Sequence, residues 1–308
     1  MIVLVLVGPT AVGKSELAIK LAQKLNGEII SADSMQVYRE MDIGTAKPSQ
    51  YEQELIPHHL IDIVDPNERF NVADYVRLAE SKIEEIVARN RLPIIAGGTG
   101  LYINALFDGF LFPDSGADPT LRKQLQQQAK DVPDSLHKQL IEIDPESAKR
   151  LHPNDHRRII RALEVYHTTG KTITELQSKM EVHERKYRPI FIGLNRERTK
   201  LYQRIETRVD QMIKMGLVNE VVDLLIKYPE QPTALQAIGY KEIALFLHGH
   251  LTLEEAIYVL KRDTRRYAKR QLSWFRRDKR IQWFDLDQTR IEVIINQIQS
   301  KIVELQAT

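Results

Sequence analysis

The N-terminal segment constrains the fold of this chain more than any other part of the sequence. Ile2–Val7 is a continuous run of Ile, Val and Leu, which is typical of a strand buried on both faces of a parallel sheet. The pattern of the following segment, Ser15–Leu25, is helical. Between them lies a match to the phosphate-loop pattern G-x-x-x-x-G-K-[ST], formed by Gly8, Pro9, Thr10, Ala11, Val12, Gly13, Lys14 and Ser15.

This loop predicts a site for phosphate groups. Its glycines allow backbone N–H groups to converge on anionic oxygens, and the start of the helix adds positive potential. Lys14 supplies a full positive charge, and the Ser15 hydroxyl can ligate Mg²⁺, which we therefore expect as a cofactor. The pattern specifies phosphate, but it does not specify ATP.

Strands and helices alternate along the first half of the chain. Further strands are predicted at Glu28–Ala32, Leu60–Val64, Pro93–Ala96 and Ile190–Leu194, and a helix is predicted at Asn71–Arg89 with Asn71 as its N-cap. This alternation predicts an α/β fold, with a P-loop NTPase-like parallel sheet core flanked by helices.

The stretch 113–188 differs from the rest because it lacks a strand signal and is rich in Gln, Lys and helical patterning. We expect it to form an all-helical insertion domain that interrupts a core made of 1–112 and 189–308. In both parts, helices are predicted at 121–130, 134–143, 156–167, 198–227, 235–248, 253–275 and 291–305.

Composition excludes several classes of function. The 308 residues contain no cysteine, which excludes disulfides, thiol catalysis and Cys-ligated zinc, and which fits a reducing, cytoplasmic location. The apolar N-terminal run is too short to span a bilayer, and no run of about 18 apolar residues follows it, so no membrane association is expected. Net charge is only +2, but the segment 261–280 holds ten Lys and Arg against two Asp, a local excess that fits a nucleic-acid backbone.

Polar residues follow two predicted strands at the carboxyl edge of the sheet, where open α/β sheets bind ligands. Asp33 can act there as a general base or a Mg²⁺ ligand, and the Gln36 carboxamide can read the edge of a base. Helix capping by Asp33 and a surface role for Gln36 are equally consistent with the sequence. The run Gly97–Gly100 can bring the Thr99 hydroxyl close to a ligand, or it can form only a tight turn.

The segment Leu60–Asp65 is compatible with a different function, that of a kinase. Its apolar pattern with Asp62 and Asp65 is similar to a Walker B segment, which holds Mg²⁺ in a kinase. His58 and His59 precede it, but adjacent residues of a strand point to opposite faces and do not easily share one metal ion.

Taken together, several segments resemble the bacterial tRNA dimethylallyltransferases. The segments are GPTAVGKSELA, SADSMQVYREMDIGTAKP, HHLID, AGGTGLY, HPNDHRRIIRALEVYHTTGK, IGYKE and TRRYAKRQLSWFRRDKRIQWFD, in register from Val7 to about Asp285. The resemblance implies transfer of a dimethylallyl group from dimethylallyl diphosphate to N6 of the adenine on the 3′ side of the anticodon in tRNA. Diphosphate would be the second product.

The resemblance also implies roles for individual residues. Asp33 would be the general base that accepts the N6 proton, Thr99 would lie near the acceptor nitrogen, and Arg208 would reach the diphosphate from outside the loop. The loop Gly8–Ser15 would bind the diphosphate of the prenyl donor rather than ATP, with Ser15 at Mg²⁺. For Arg208, whose spacing from Arg204 fits one exposed helix face, an ordinary solvated arginine is the alternative.

Under the same resemblance, tRNA would contact three groups of residues, in the turn after the second strand with Thr99, in the insertion, and in the basic segment. They are Asp33, Ser34, Met35, Gln36, Thr99, Arg157, Arg158, Ile159, Ile160, Arg161, Arg265, Arg266, Lys269 and Arg270. Tyr267, Trp274 and Phe275 would allow stacking on bases, although helical periodicity equally allows their burial. The expected partners are the tRNA anticodon stem-loop and dimethylallyl diphosphate, and we expect a monomer.

Three other functions are compatible with parts of the sequence. The chain could be a small-molecule or nucleotide kinase, a prenyltransferase acting on free adenine nucleotide, or an RNA-binding P-loop protein without catalysis. The helical insertion and the basic segment favour tRNA over a free nucleotide as the acceptor.

Overall fold

A computed structural model describes residues 1–108, 119–178, 186–230 and 233–307 of the protein. Its contacts divide the chain into two compact units, Met1–Phe107 with Lys186–Thr308 and Asp108–Arg185. Each unit is described by itself. The expected start of the insertion at 113 lies outside the described residues.

A parallel sheet of six strands forms the centre of the first unit. The strands are β1 Ile2–Val7, β2 Gly27–Ala32, β3 His58–His59, β4 Leu92–Gly97, β5 Arg188–Asn195 and β6 Gln282–Asp285. Their order is β3-β2-β4-β1-β5-β6, and all neighbours pair in parallel. Because β1 lies between β4 and β5, the loop that follows it opens at the middle of the carboxyl edge. This part of the fold prediction is confirmed.

Helices surround this sheet and also build the second unit. In chain order they are α1 Lys14–Lys24, α2 Gln50–Leu55, α3 Val72–Ala88, α4 Gly100–Asp108, α5 Pro119–Asp131, α6 Ser135–Ile143, α7 Pro145–Arg150, α8 His156–Thr169, α9 Ile173–Ser178, α10 Arg198–Met215, α11 Leu217–Lys227, α12 Tyr240–Leu247, α13 Leu253–Phe275 and α14 Ile291–Gln306. None of these described helices has both the length and the apolar composition needed to cross a bilayer.

Hydrophobic side chains cover both faces of the sheet. Along β1, Leu4 and Leu6 contact a cluster formed with α1 and α14, whereas Val3, Val5 and Val7 contact a cluster formed with α3. All of them are fully buried. This two-sided burial explains why β1 is an uninterrupted apolar run rather than an alternating one.

The helix predicted at Asn71–Arg89 is confirmed as α3, and so is its N-cap. The Asn71 side chain accepts a hydrogen bond from the Ala73 N–H at 2.8 Å, and the Asp74 side chain accepts one from the Asn71 N–H at 3.1 Å. This reciprocal pair satisfies backbone donors that have no partner inside the helix.

The predicted strand at Leu60–Val64 is wrong. The third strand is the preceding pair, His58–His59, and it is followed by two non-glycine residues with left-handed backbones, Leu60 (φ 60°) and Asp62 (φ 55°). The segment pairs with the turn after β2 instead of the sheet, since the Ile63 N–H donates to the Val37 carbonyl at 2.8 Å. A left-handed backbone at two positions is incompatible with an extended strand.

Two long helical predictions are also interrupted. The helix expected at 198–227 breaks into α10 and α11 at Gly216, whose φ of 101° an L side chain rarely adopts. The helix expected at 235–248 begins as a short 3₁₀ turn, Ala234–Gln236, before α12. The sequence prediction missed β6 altogether, because four residues with polar ends give too short a pattern.

The second unit is helical throughout its described part, with α5 to α9 packed on one hydrophobic cluster. Leu140, Ile159 and Leu163 are fully buried there. Glu164 is buried with them, and Arg122 donates to its two carboxylate oxygens at 2.6 Å each. This bidentate pair neutralises a charge that would otherwise be costly to bury.

Candidate active site

Three loops meet at the carboxyl edge of the sheet. The register pairs Val7 of β1 and Ala32 of β2 with the same residue of β4, Gly97. The phosphate loop, the turn that begins at Asp33 and the glycine run that contains Thr99 therefore start side by side. The sequence prediction that these segments share one edge is confirmed.

A cavity of about 280 Å³ lies over the phosphate loop. Its wall is formed by the phosphate loop, the turn after β2, Gly97 and Gly98 before α4, and residues of helices α10 and α13. Its main polar lining residues are Thr10, Lys14, Ser15, Asp33, Gln36, Arg204, Arg208, Tyr267 and Gln271. Residues more than 190 positions apart in the sequence thus converge on one cavity, as the hydrogen bond from the Arg204 Nε to the Ala11 carbonyl illustrates (193 positions, 2.9 Å).

The cavity is lined by three cations, Lys14, Arg204 and Arg208, and by three acidic residues, Glu16, Asp33 and Glu52. The Lys14 ammonium donates to the carbonyls of Gly8 and Pro9 at 2.9 and 2.8 Å. Burial and, to a lesser extent, repulsion from Arg208 lower the pKa of Lys14 to about 7, although the charge of Asp33 acts in the opposite direction. An anion bound over the loop would relieve both unfavourable effects, so the site is electrostatically prepared for a phosphate group.

The two arginines come from successive turns of α10. Burial lowers the pKa of Arg208, and the neighbouring charge of Arg204 adds to this effect. Arg208 lines the same cavity as the phosphate loop, and it reaches this cavity from α10. Arg204 is a cavity residue without a predicted role, although its four-residue spacing from Arg208 puts both on one helix face.

Not every residue of the loop faces the cavity. The Val12 side chain is fully buried beneath the loop, and its carbonyl accepts a hydrogen bond from the Arg196 Nε at 2.9 Å. Gly8 and Pro9 contribute the carbonyls that hold Lys14. These residues shape the loop through their backbones, while Thr10, Lys14 and Ser15 line the cavity.

Asp33 is the carboxylate at the centre of the site. Burial raises its pKa, partly offset by the hydrogen bond from the Met35 backbone (2.9 Å to Oδ1) and by the charge of Lys14. A carboxylate with a raised pKa accepts a proton more readily than an exposed one, which suits a general base. Thr99 lies beside it, since the Ser34 N–H donates to the Thr99 Oγ1 at 3.1 Å.

Gln36 lines the same cavity, but both ends of its carboxamide already have protein partners. The Ser31 hydroxyl donates to Oε1 at 2.9 Å, and Nε2 donates to the carbonyls of Thr45 and Ala46 at 3.2 and 3.3 Å. Gln36 therefore fixes the turn after β2. To read a base it would have to exchange one of these hydrogen bonds.

Helix α13 supplies two cavity residues for which the sequence analysis gave no such role. Gln271 is only 5% exposed and accepts a hydrogen bond from the Thr10 N–H at 2.8 Å. Burial raises the pKa of Tyr267, which lies one turn earlier and was considered only for base stacking. The sequence signal for a role of Gln271 is its position as a polar residue within the buried stripe of Leu260, Ala268 and Phe275.

The basic residues of α13 divide into paired and unpaired cations. Arg265 pairs with Glu206 at 2.5 Å and Arg266 with Asp263 at 3.4 Å. Lys269 is exposed without an ion pair, and Arg270 lies over the Tyr267 ring at 5.7 Å from its centre. These exposed cations are available to a polyanion.

The aromatic residues at the end of α13 are not equivalent. Phe275 is 2% exposed and belongs to the core, whereas Trp274 is 36% exposed. The Trp274 Nε1 donates to the Asn104 Oδ1 at 3.4 Å. Burial, the alternative that helical periodicity allowed, is what the structure shows for Phe275.

In the second unit, residues 157–161, which are predicted to contact tRNA, lie on two different faces of α8. Arg157 and Arg158 are exposed, and Arg158 pairs with Asp155 at 2.8 Å. Arg161 lies 3.9 Å from Glu164. Ile159 and Ile160 are only 0% and 6% exposed, so their side chains belong to the core, and a contact of this segment with tRNA stays a prediction.

The carboxylates proposed for a kinase lie elsewhere. Asp62 pairs with Lys47 at 2.5 Å and Asp65 with Arg39 at 2.9 Å, and neither lines the phosphate-loop cavity. His59 Nε2 contacts the Glu28 carboxylate at 2.6 Å instead of a metal. Across the described ranges, no group of three or more His, Asp or Glu side chains could hold a metal ion.

Fold and site together define a P-loop-like α/β protein with a cavity that lies over the loop, beside the Asp33 carboxylate. The model of the IPP transferase family matches residues 36–278 of this chain. The chain belongs to that family.

Relatives match over nearly the whole sequence. A tRNA dimethylallyltransferase of Halothermothrix orenii is 52% identical over 96% of this chain and 90% of its own length, and one of Carboxydothermus hydrogenoformans is 53% identical over 96% and 95%. Among solved structures, the tRNA isopentenylpyrophosphate transferase of Bacillus halodurans is 47% identical with a TM-score of 0.74, over 98% of this chain and 97% of that one. A eukaryotic dimethylallyltransferase acting on tRNA is 34% identical with a TM-score of 0.83, over 97% and 79%.

Proposed function

We propose that this protein transfers a dimethylallyl group from dimethylallyl diphosphate to tRNA and releases diphosphate. The observation that carries this function is the cavity itself, where a phosphate loop, Arg208 and the half-buried carboxylate of Asp33 face one space. Relatives that share about half of its residues over nearly the whole chain are named for this reaction.

The acceptor proposed in more detail is N6 of the adenine on the 3′ side of the anticodon. N6 attacks the first carbon of the donor as the bond between that carbon and the diphosphate oxygen breaks. The N6 proton passes to the Asp33 carboxylate, whose raised pKa favours this transfer. Thr99 is proposed to orient the acceptor, because its hydroxyl lies against the turn that carries Asp33.

The leaving diphosphate is proposed to bind over the phosphate loop. Lys14 and Arg208 would neutralise its charge, and both carry pKa values lowered by burial that an anion would restore. Charge stabilisation at a fixed position is the main catalytic contribution expected in such a displacement.

Magnesium is proposed as the cofactor, with Ser15 as its protein ligand. The Ser15 hydroxyl lines the cavity at the first turn of α1, and the described residues offer no cluster of carboxylates or histidines around it. This fits Mg²⁺, which commonly takes most of its ligands from substrate phosphates and water. When bound, the ion supplies positive charge to the departing diphosphate.

The anticodon stem-loop is the proposed tRNA partner. Exposed cations of α13, including Lys269 and Arg270, would contact its phosphates, as would Arg157 and Arg158 of α8. An unpaired loop lets the target adenine leave its stack at low cost. We propose that the protein acts as a monomer in the cytoplasm, in keeping with its lack of cysteine.

The test uses dimethylallyl diphosphate labelled in the prenyl group. Parallel reactions with Mg²⁺ contain unmodified tRNA or AMP, and a third contains ATP with no prenyl donor. Label in tRNA alone supports the proposal. Label in AMP would establish a free-nucleotide prenyltransferase, and ATP turnover without prenyl transfer would establish a kinase.

A further inference from the structure

We propose that Gln271 is a positioning residue that fixes the distance between the phosphate loop and the glycine turn preceding Thr99. The first of these segments is assigned to the donor and the second to the acceptor, so the inference rests on the dimethylallyl transfer proposed above. Gln271 itself need not touch the reacting atoms.

One carboxamide spans both segments. Its Oε1 accepts the hydrogen bond from the Thr10 N–H at 2.8 Å, and its Nε2 donates to the Gly98 carbonyl at 3.0 Å. The side chain is 5% exposed, so water does not readily replace either partner. Both ends of Gln271 are therefore committed to holding two loops that come from different strands.

Gly98 leaves room for the carboxamide of Gln271. A Cβ added to Gly98 would lie 2.0 Å from the Gln271 Nε2, which is closer than any real Cβ contact. The absence of a side chain at residue 98 thus allows α13 to approach the turn directly. Gly98 therefore both lines the cavity and accommodates the Gln271 side chain.

The bridge continues to the proposed acceptor side. Thr99 directly follows Gly98, and its Oγ1 accepts the hydrogen bond from Ser34, the neighbour of Asp33. Tyr267, one turn before Gln271 on α13, lines the same cavity. Two hydrogen bonds of Gln271, the Gly98–Thr99 peptide link and the hydrogen bond of Thr99 therefore connect Thr10 of the donor loop to the turn that carries the proposed base.

Displacement of one reactant by about 1 Å can cost about 10²-fold in rate even when binding is retained. Loss of the bridge should consequently lower kcat more than it raises either KM. A glutamine that only stabilises the fold would lower the amount of folded enzyme and leave kcat per folded molecule unchanged.

The experiment compares two substitutions. Gln271→Leu removes both hydrogen bonds at similar side-chain volume, whereas Gln271→Glu keeps the acceptor for Thr10 but loses the donor to Gly98. The matched control is Gln299→Leu, the same change at an exposed position of α14. Values of kcat and of KM for dimethylallyl diphosphate and tRNA are measured at equal concentrations of folded protein.

We expect Gln271→Leu to lower kcat about 10–100-fold while each KM changes by less than roughly threefold. The kcat of Gln271→Glu should lie between that of Gln271→Leu and that of the wild type, and the kcat of Gln299→Leu should match that of the wild type. If Gln271→Leu does not fold, the kcat of Gln271→Glu decides, and an unchanged value overturns the inference.

Combination with Thr99→Ala provides a second test. If Gln271 acts by holding the turn before Thr99, the double variant loses less than the product of the two single losses. The inference is overturned if the rate loss of the double variant equals the product of the two single losses. It is also overturned if Gln271→Leu has the wild-type kcat or if its effect is confined to KM. Absence of prenyl transfer by the wild-type protein would instead refute the proposed function.

Discussion

Replacement of Asp33 by Asn separates the charge of this side chain from its structural role. Asn retains an oxygen that can accept the 2.9 Å hydrogen bond from the Met35 backbone, so the turn after β2 should persist. What disappears is the carboxylate that would accept the N6 proton. We expect kcat to fall about 10²–10⁴-fold, the usual contribution of a general base, with tRNA affinity little changed.

The raised pKa of Asp33 predicts how the rate of prenyl transfer depends on pH. Asp33 must be ionised to accept a proton, and burial raises its pKa above that of an ordinary carboxyl group. The wild-type rate should therefore fall on acidification at a higher pH than an exposed aspartate would cause. Asp33→Asn should lack this acidic limb.

Loss of the Asp33 charge also acts on Lys14. Since that charge raises the pKa of Lys14, its removal should lower a pKa that already lies at about 7. Donor KM in Asp33→Asn should therefore rise more steeply than in the wild type between about pH 6 and pH 8.

The assay is steady-state prenyl transfer across this pH range with tRNA binding measured in parallel. Asp223→Asn is the control, because it makes the same change at an exposed position of α11. A rate loss below tenfold in Asp33→Asn, or an acidic limb that survives the substitution, would refute Asp33 as the general base.

Three further predictions address other parts of the structure. Lys14→Met should weaken donor binding but raise the unfolding free energy of the ligand-free protein by about 1–2 kcal/mol near pH 7, because burial destabilises the wild-type ammonium. This advantage of the variant should shrink as pH rises from about 7 to 10.5, where the wild-type amine is neutral in both the folded and the unfolded state, and unchanged donor kinetics would contradict the prediction. Lys269→Ala with Arg270→Ala should weaken tRNA binding and reduce the slope of log affinity against log salt by about 1–2, whereas an unchanged slope would remove these cations from the interface. Ile159→Ala should destabilise the second unit by about 2–4 kcal/mol in thermal or denaturant unfolding, because the side chain is fully buried. Wild-type stability combined with lost tRNA affinity would contradict this prediction and indicate that the Ile159 side chain contacts tRNA.

The parts of the fold that the sequence predicted well are those where local pattern and tertiary environment agree. Ile2–Val7 and the helix Leu253–Phe275 were predicted with the bounds that the structure has. Leu60–Val64 failed because its apolar residues are buried while its backbone is left-handed at two positions. Periodicity reports burial, and it does not report the sign of φ.

The candidate site was predictable wherever its residues belong to local motifs. The phosphate loop and Asp33 could be placed because the carboxyl ends of parallel strands meet at one edge. Arg204 and Gln271 reach the same cavity from helices far along the chain. Their convergence depends on how α10 and α13 pack against the sheet, which no local pattern encodes.

The most direct test of the proposed reaction follows both products from one donor. Dimethylallyl diphosphate carrying one label in the prenyl group and another in the diphosphate is incubated with Mg²⁺, unmodified tRNA and the wild-type protein. Prenyl label should enter tRNA and diphosphate should be released in equal amounts, with no phosphate label in the tRNA. Phosphate label in the tRNA, or diphosphate release without prenyl-labelled tRNA, would contradict transfer of the dimethylallyl group to tRNA.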